Sequence, residues 1–320
     1  MEREAVARVT ADGFETRVTR PRARRFNLRE AAAGYLLVSP AFLYLLLLVA
    51  YPFVLALYFS LSNVTVAGDK GFVGLANFTS VVHDPVFLHA LINSLSFTFL
   101  AEVGKALLGI GLAFLLLQTL RFKKVIRGFL MIPFTMPLPL SLLGWKWMYD
   151  PQFSVINRSI DSIQSLLHIH SQFWVIWLGD PLYSYLAILI VNIWRGFPFA
   201  AVIVLAGLVS IPRDILDAAR VDGAGFFRTW HYVITPMIAA ILFIGLIYDV
   251  TFTLGDITIV YLLTQGGPAS YTQILPMLAY QNGIVGGNLS KGAADALILF
   301  PFLFVGMIIF LRMLFRRAET

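Results

Sequence analysis

Residues 216–237 read LDAARVDGAGFFRTWHYVITPM and form a polar segment between two long apolar runs. Apolar sequence ends at Ile211 and Pro212, and it resumes at Val233. Hydrocarbon strongly disfavours the charged residues of this region, which are Arg213, Asp214, Asp217, Arg220, Asp222 and Arg228. The segment therefore predicts a loop at the membrane surface that joins two membrane spans.

The composition of this loop predicts a helix–turn–helix. Its first half contains good helix formers, namely Ala218, Ala219, Val221 and Ala224. Gly223 and Gly225 can end that first helix, because glycine accepts backbone conformations that other residues avoid. The second half is aromatic, with Phe226, Phe227, Trp230 and Tyr232. A short bent helical pair of this kind suits docking into a groove of a partner protein.

The order of residues in this loop resembles the EAA coupling loop of binding-protein-dependent ABC importers, and more narrowly that of maltose-permease-like sugar permeases. Two positions depart from the family pattern: Asp217 replaces the usual Glu, and Thr235 replaces the usual Leu before Pro236. The phrases at 74–78 (GLANF) and 263–268 (LTQGGP) also look like that family. The resemblance implies that the loop, residues 212–232, docks into a cytoplasmic ATPase through Asp217, Ala218, Ala219, Asp222, Gly223, Ala224 and Phe227.

The composition is that of a polytopic membrane protein. Of 320 residues, 58% are hydrophobic and 13% are charged, and the mean hydropathy is +0.79, whereas soluble domains carry about 25% charged residues. The net charge of +6 is explained by basic residues flanking the spans, so no nucleic-acid partner is expected. There is no cysteine, and the pair His168 and His170 is interpreted as surface residues rather than a metal site.

The apolar runs predict an all-α protein with six transmembrane helices. The expected spans cover residues 32–61, 91–117, 126–149, 185–211, 233–261 and 293–314. Pro133, Pro137 and Pro139 are expected to break the third span near its middle. Residues 1–29 form a basic N-terminal tail, and residues 30–320 form the transmembrane permease domain. The resemblance implies the type I ABC importer permease fold.

The distribution of basic residues predicts the orientation. Six spans place both termini on one side, together with the Arg-rich tail, the basic turn at 121–127, the coupling loop and the C-terminal arginines. The opposite loops hold Lys70, Arg158 and Lys291. The positive-inside rule then puts both termini in the cytoplasm. The family resemblance implies a multi-pass protein of the cell (inner) membrane of a bacterium or archaeon.

Polar residues within the fourth and fifth spans predict a solute pathway. Asn192, Gly196 and Phe199 share one helix face beside Arg195, and Asp249, Thr253 and Asp256 stand at i, i+4 and i+7. Charged residues inside spans are functional candidates by default. The family resemblance implies the same positions. An alternative stays open, in which Arg195 pairs with an aspartate as a structural lock.

A second intramembrane pair lies in the second span. Glu102 and Lys105 stand at i, i+3 and can form an ion pair on one face. An ion pair within a span generally faces protein rather than lipid. We interpret the pair as a polar clamp between helices, and a direct role in transport is the alternative.

No catalytic motif is visible in the sequence. The P-loop pattern G-x-x-x-x-G-K-[ST] does not occur, so ATP and Mg²⁺ are expected on partner subunits and no cofactor on this chain. The resemblance implies a carbohydrate importer built with a second homologous permease, two ABC ATPases and an extracellular or periplasmic solute-binding protein. Glycerol-phosphate-type solutes are an alternative cargo. An ion-coupled secondary transporter and a membrane enzyme are the alternatives from other classes.

Overall fold

A computed structural model describes residues 10–11, 14–15, 28–118, 121–168 and 174–318. The chain divides into two compact units, Met1–Val54 and Leu55–Thr320. In the first unit, strands β1 (Thr10–Ala11) and β2 (Phe14–Glu15) pair antiparallel. Helix α1 (Leu28–Leu45) begins inside the stretch predicted as tail, and a π-helical turn (Leu46–Ala50) follows it. The other residues of the predicted tail lie outside the described part of the chain.

The second unit begins within helix α2 (Tyr51–Leu61), which is followed by a β-hairpin that the sequence analysis did not predict. Strands β3 (Ser62–Thr65) and β4 (Gly68–Phe72) pair antiparallel and lead to helix α3 (Ala76–Val82). Side chains supply hydrogen bonds to the backbone of β3 that a second neighbouring strand would otherwise supply. The amide of Asn77 donates to the carbonyls of Ser60 and Ser62, and Ser290 contributes further hydrogen bonds to this strand.

The remaining helices of the described chain follow in order. They are α4 (Pro85–Leu117), α5 (Lys123–Thr135), α6 (Leu138–Met148), α7 (Val155–Leu166), α8 (Pro181–Ser210), α9 (Arg213–Val221), α10 (Phe226–Thr229), α11 (Thr235–Gly255), α12 (Thr258–Leu263), α13 (Leu275–Tyr280), α14 (Leu289–Leu297) and α15 (Leu299–Ala318). Further π-helical turns, Trp230–Ile234 and Gln281–Val285, precede α11 and follow α13.

Five stretches of the described chain are long and apolar enough to cross a membrane. They are Gly34–Leu61, Pro85–Leu117, Pro181–Ser210, Phe226–Leu263 and Leu289–Ile308. A sixth candidate is the pair Lys124–Thr135 and Leu138–Met148, which is bent by 89°. The break falls at Met136 and Pro137, where the sequence analysis expected prolines to interrupt the third span. The all-α, multi-span prediction is confirmed.

Small residues bring α4, α8 and α11 close together. A Cβ added at Gly109 of α4 would lie 3.0 Å from the backbone nitrogen of Ala201 on α8. A Cβ at Gly207 of α8 would lie 2.9 Å from the Ile238 side chain on α11. Such contacts are too tight for any larger side chain. Helices α4 and α8 thus approach backbone to backbone at Gly109, and Ile238 of α11 packs directly on Gly207 of α8.

The fifth span is shorter as a continuous helix than predicted. Helix α11 ends at Gly255, and Asp256 has extended backbone angles, φ −86° and ψ 112°. The predicted i+7 position of Asp256 therefore falls at the cap of α11 and not within the helix, and the chain turns away after it. A carboxylate oxygen of Asp256 instead accepts a hydrogen bond of 2.8 Å from the Thr258 amide and so stabilises the start of α12.

Candidate coupling loop and solute pathway

The loop between α8 and α11 folds as the predicted helix–turn–helix. Helix α9 ends in a Schellman motif, in which the Ala224 amide donates to Ala219 at 3.0 Å and the Gly223 amide donates to Arg220 at 3.0 Å. This motif requires a left-handed residue, and Gly223 supplies it with φ 71°. Gly225 then precedes α10 in an extended conformation. The two glycines set the bend between the helices.

An aromatic contact anchors the loop to α4. The ring of Phe114, near the end of α4, lies 5.2 Å from that of Phe226 and 5.4 Å from that of Trp230, centroid to centroid. On the α9 side, Ala219 is buried and Leu216 packs on the apolar cluster around Ile211. The loop is therefore seated on the helix core along one side and is in contact with the end of α4.

The opposite side of the loop is exposed, and it carries most of the residues expected to meet an ATPase. Exposed members of that set are Asp217, Ala218, Asp222, Gly223 and Phe227. The Phe227 side chain is 83% exposed, which is unusual for a large apolar group. Ala219 is buried against the core, and Ala224 is half-buried, so these two support the loop from beneath.

Asp217 has a partner within its own helix. Arg220 Nη1 lies 3.0 Å from Asp217 Oδ1, and both side chains are largely exposed. Ion pairs in such surroundings contribute little, because water competes for both groups. The carboxylate of Asp217 therefore remains accessible to a cation on another protein.

The interior of the bundle contains a charged group that we call the Lys105 cluster: Lys105, Glu102, Asp249 and Thr253. Lys105 Nζ lies 2.6 Å from Glu102 Oε1 on the same helix. It also lies 3.0 Å from Asp249 Oδ2 on α11 and donates to Thr253 Oγ1 at 2.9 Å. Thr253 in turn donates to Glu102 at 3.1 Å. The ammonium thus uses three partners while its side chain is only 2% exposed, which fits a helix-to-helix clamp.

The Lys105 side chain packs directly against Gly196 of α8. A Cβ added at Gly196 would lie 2.2 Å from Lys105 Cδ and 3.2 Å from Cγ. Any side chain at this position would push the lysine away from its partners. Gly196, expected on the solute pathway, is therefore a packing position for the clamp, and Asp249 and Thr253 are its acceptors on α11.

Arg195 and Asp256 form a second, more accessible ion pair. Arg195 Nη1 lies 3.2 Å from Asp256 Oδ2, and the guanidinium carbon lies 5.6 Å from the centre of the Phe252 ring. The two side chains keep 25% and 15% exposure. They line a cleft of about 690 Å³ together with Leu138, Pro139, Tyr248, Thr251, Phe252, Gly255 and Thr258. The predicted lock between Arg195 and an aspartate is present, and it borders open space.

A row of aromatic rings leads from this cleft along the helices. Phe252 lies 6.1 Å from Tyr248, and Tyr248 lies 5.3 Å from Phe199 on α8. Phe199 also stacks at 5.5 Å and 17° on Phe134 of α5. The Asn192 side-chain oxygen is buried and has no hydrogen-bond partner among the described residues.

The structure separates the predicted pathway residues into two groups. Asp249 and Thr253 belong to the Lys105 cluster and Gly196 packs against it, whereas Arg195 and Asp256 border the cleft. The sequence analysis missed Tyr248, Phe252 and Phe134, because an aromatic ring in an apolar span carries no signal of its own. With 3.6 residues per helical turn, Phe252 falls near the helix face that carries Asp249, and this spacing could have identified it. In the part of the chain that the structure describes, no set of three acidic or histidine side chains could hold a metal ion; His170 lies outside that part.

Comparisons with known proteins agree on one family. The model of the binding-protein-dependent transport system inner membrane component matches residues 105–318. The trehalose/maltose transport system permease protein MalF of Thermococcus litoralis is 31% identical over 90% of this chain and 95% of its own. The sulfoquinovosyl glycerol transport system permease protein SmoG of Agrobacterium fabrum is 30% identical over 91% of this chain and 93% of its own.

A solved structure supports the fold. A bacterial alginate ABC transporter, crystallised in complex with an alginate pentasaccharide-bound periplasmic protein, contains a chain that superposes with a TM-score of 0.75. The match covers 92% of this chain and 97% of that one at 18% identity. At this identity the likeness concerns the fold.

Proposed function

This chain belongs to the family of binding-protein-dependent transport system inner membrane components, and we propose that the solute it passes across the membrane is a neutral carbohydrate. The protein is a multi-pass membrane permease of an ABC importer. The observation on which the choice of solute rests is the cleft beside Arg195 and Asp256, with its wall of aromatic rings. Relatives named for trehalose and maltose transport favour the same class.

The chemistry of the cleft suits a sugar. A sugar presents apolar ring faces that pack on aromatic side chains, and Tyr248 and Phe252 are each about half exposed. It also presents hydroxyl groups that lose water on entry and need replacement hydrogen bonds. The guanidinium of Arg195 donates and the carboxylate of Asp256 accepts, so the pair can serve both roles of a hydroxyl.

The charge of the cleft argues against a phosphorylated solute. A phosphate is recognised by cationic donors that are free to bind it. Arg195 is already neutralised by Asp256 at 3.2 Å, so the charged pair that lines the cleft has no net charge. A glycerol-phosphate-type solute would have to displace that carboxylate, whereas a neutral sugar would not.

The loop at 212–232 provides the route by which ATP hydrolysis drives transport. Its exposed face, with Asp217 and Phe227, would sit in a groove of an ABC ATPase, while Phe114 ties the loop to α4. The complex would contain a second homologous permease, two ATPases that carry ATP and Mg²⁺, and an external solute-binding protein. This chain would itself catalyse no reaction. The loop and both termini would face the cytoplasm, on the side where its basic flanks lie.

Reconstitution tests the proposal directly. The chain is co-expressed with its neighbouring permease and ATPase genes, purified, and placed in liposomes with ATP inside and the binding protein with radiolabelled trehalose or maltose outside. A thermal-shift screen of the binding protein against sugars and glycerol phosphates selects further solutes. ATP-dependent uptake of a neutral sugar is expected. Uptake by this chain alone, driven by a proton gradient, would instead identify an ion-coupled secondary transporter.

The Asp217→Lys variant tests the docking face in the same liposomes. It reverses the charge of an exposed side chain without touching the helix core. Loss of ATP-driven uptake, with the permease pair still assembled, is the expected result. Asp214→Lys, the same charge reversal at an exposed residue of α9 outside the predicted docking set, serves as the matched control. Wild-type uptake by Asp217→Lys would remove Asp217 from the interface.

A further inference from the structure

Motion of the loop enters the helix bundle at two places. One is the contact of Phe114 on α4 with Phe226 and Trp230. The other is the π-helical turn Trp230–Ile234, which continues directly into α11. A movement of the loop would therefore reach α4 and α11 through separate contacts. For the two helices to move together, they need a further contact deeper in the bundle.

Farther from the loop, the Lys105 cluster joins α4 and α11 a second time. Lys105 lies nine residues from Phe114, roughly 14 Å along α4 at 1.5 Å per residue. Asp249 lies 15 residues from Ile234, roughly 22 Å along α11. Lys105 Nζ contacts Asp249 and Thr253 at 3.0 and 2.9 Å, and its stem lies across Gly196 of α8. All three core helices thus meet at one lysine.

A cavity borders the Lys105 cluster on the side of the loop. It has a volume of about 170 Å³ and is lined by residues of all three helices, with Glu102, Lys105 and Asp249 at one end and Ile110, Phe199 and Leu242 among the others. An unfilled space lacks the atomic contacts that would otherwise hold its walls together. On the loop side of the cluster, close contacts at Gly109 and Gly207 join α4 to α8 and α8 to α11. The cluster is where a side chain of α4 bonds directly to side chains of α11.

The cluster also sits next to the aromatic wall of the cleft. Asp249 follows Tyr248 directly on α11, and Thr253 follows Phe252. Because the backbone positions of neighbours are rigidly related in a helix, fixing Asp249 and Thr253 fixes the bases of both rings. The position of the cleft wall therefore depends on the clamp.

We propose that Lys105 is a positioning residue for transport: it ties α4, α8 and α11 at mid-bundle, so that movement of the loop is passed to the cleft wall on α11. This inference rests on the proposed function, since it assigns a route for the force that an ATPase applies to the loop. Lys105 itself does not touch the solute. Its partners face the interior of the bundle.

The test removes the ionic contacts without leaving a charge unpaired. Deleting one member of a buried ion group leaves its partners uncompensated, whereas neutralising all members together is often tolerated. The test variant is the triple Glu102→Gln, Lys105→Met and Asp249→Asn. The control is the double variant Asp84→Asn and Lys291→Met, which removes a half-buried ion pair of 2.8 Å outside the clamp.

Both variants are purified as the full complex with its ATPases and reconstituted. The readout is the ratio of ATPase activity with saturating cognate binding protein to basal activity, with subunit assembly checked by size-exclusion chromatography. We expect the triple variant to assemble and keep basal hydrolysis, while the stimulation falls by at least about fivefold, the lower end of a typical coupling between sites. The control double variant keeps the wild-type ratio.

The possible outcomes separate the two claims. Wild-type stimulation in an assembled triple variant overturns the role of Lys105 and leaves the importer assignment intact. An equal loss in the control variant also overturns it, because any ion pair would then serve. If the triple variant does not assemble, single Asp249→Asn is measured, with the same expected fall in stimulation and the same refuting result. No stimulation in the wild-type complex would overturn the proposed function itself.

Discussion

Replacing Gly196 by alanine tests how tightly α8 is packed over the Lys105 side chain. The new Cβ would lie 2.2 Å from Lys105 Cδ, where ordinary contacts are 3.4–4 Å, so the lysine must retreat by more than 1 Å. Its Nζ makes contacts of 2.6 and 3.0 Å with Glu102 and Asp249, which such a shift would lengthen or break. Overpacking of this kind costs about 1–3 kcal/mol.

The size of the effect can be read by thermal unfolding. At about 2–4 °C per kcal/mol for a chain of this order of size, Gly196→Ala lowers the midpoint by about 2–12 °C. Tryptophan fluorescence in detergent follows unfolding, since the chain has six tryptophans. Scans are compared at one fixed rate, because unfolding of membrane complexes is often irreversible.

Gly111→Ala is the matched control. Gly111 lies within α4, another long helix of the core, and a Cβ there meets no atom within 4 Å. Alanine in an open helical position stabilises by about 0.5–1 kcal/mol, so the midpoint should rise slightly. If Gly196→Ala proved as stable as wild type while losing uptake, Gly196 would be a solute contact and the packing argument would fail.

Three further outcomes follow from the geometry. Gly223→Ala should destabilise the loop by about 1–2 kcal/mol, because a φ of 71° lies in the left-handed region. Faster amide hydrogen exchange in α9 would show this, and Gly223→Asn should lose less stability. The Lys291 hydrogen bond lowers the pKa of Asp84. The stability that this bond gives the fold is present above the ordinary aspartate pKa of about 3.9 and is lost as pH falls through the lowered value. In the Asp84→Asn variant, the midpoint of thermal unfolding should therefore change less with pH across that acidic range. Tyr248→Ala should raise KM for uptake about 2–12-fold, the equivalent of one aromatic contact, with Tyr248→Phe near wild type.

The features that could be predicted are those that depend only on residues close together in the sequence. Asp217 to Gly223 lie within one helix and its cap, so residue types and spacing were enough to predict the bend. The break near Pro137 follows from proline chemistry alone. The hairpin at 62–72 was missed because its stability comes from Asn77 and Ser290, the latter more than 200 residues away.

The roles of the intramembrane residues could not be predicted for the same reason. Glu102 and Lys105 are neighbours on one helix, so their pairing was foreseen. The choice of Asp249 over Asp256 as the third partner depends on where α11 ends. That end is at Gly255, and because an isolated glycine is also tolerated inside a helix, this residue alone did not identify the end.

Exposure is what distinguishes the two ion-pair groups. A charge within a span is a functional candidate by default, yet Lys105 is almost fully enclosed and all its contacts are internal. Arg195 retains a quarter of its surface beside a cleft large enough for a solute. Asp249 within α11 pairs with Lys105, and Asp256, at the cap directly after α11, pairs with Arg195 beside the cleft. Residues 249–256 thus supply one acceptor to the enclosed core and another to the cleft that we propose for the solute.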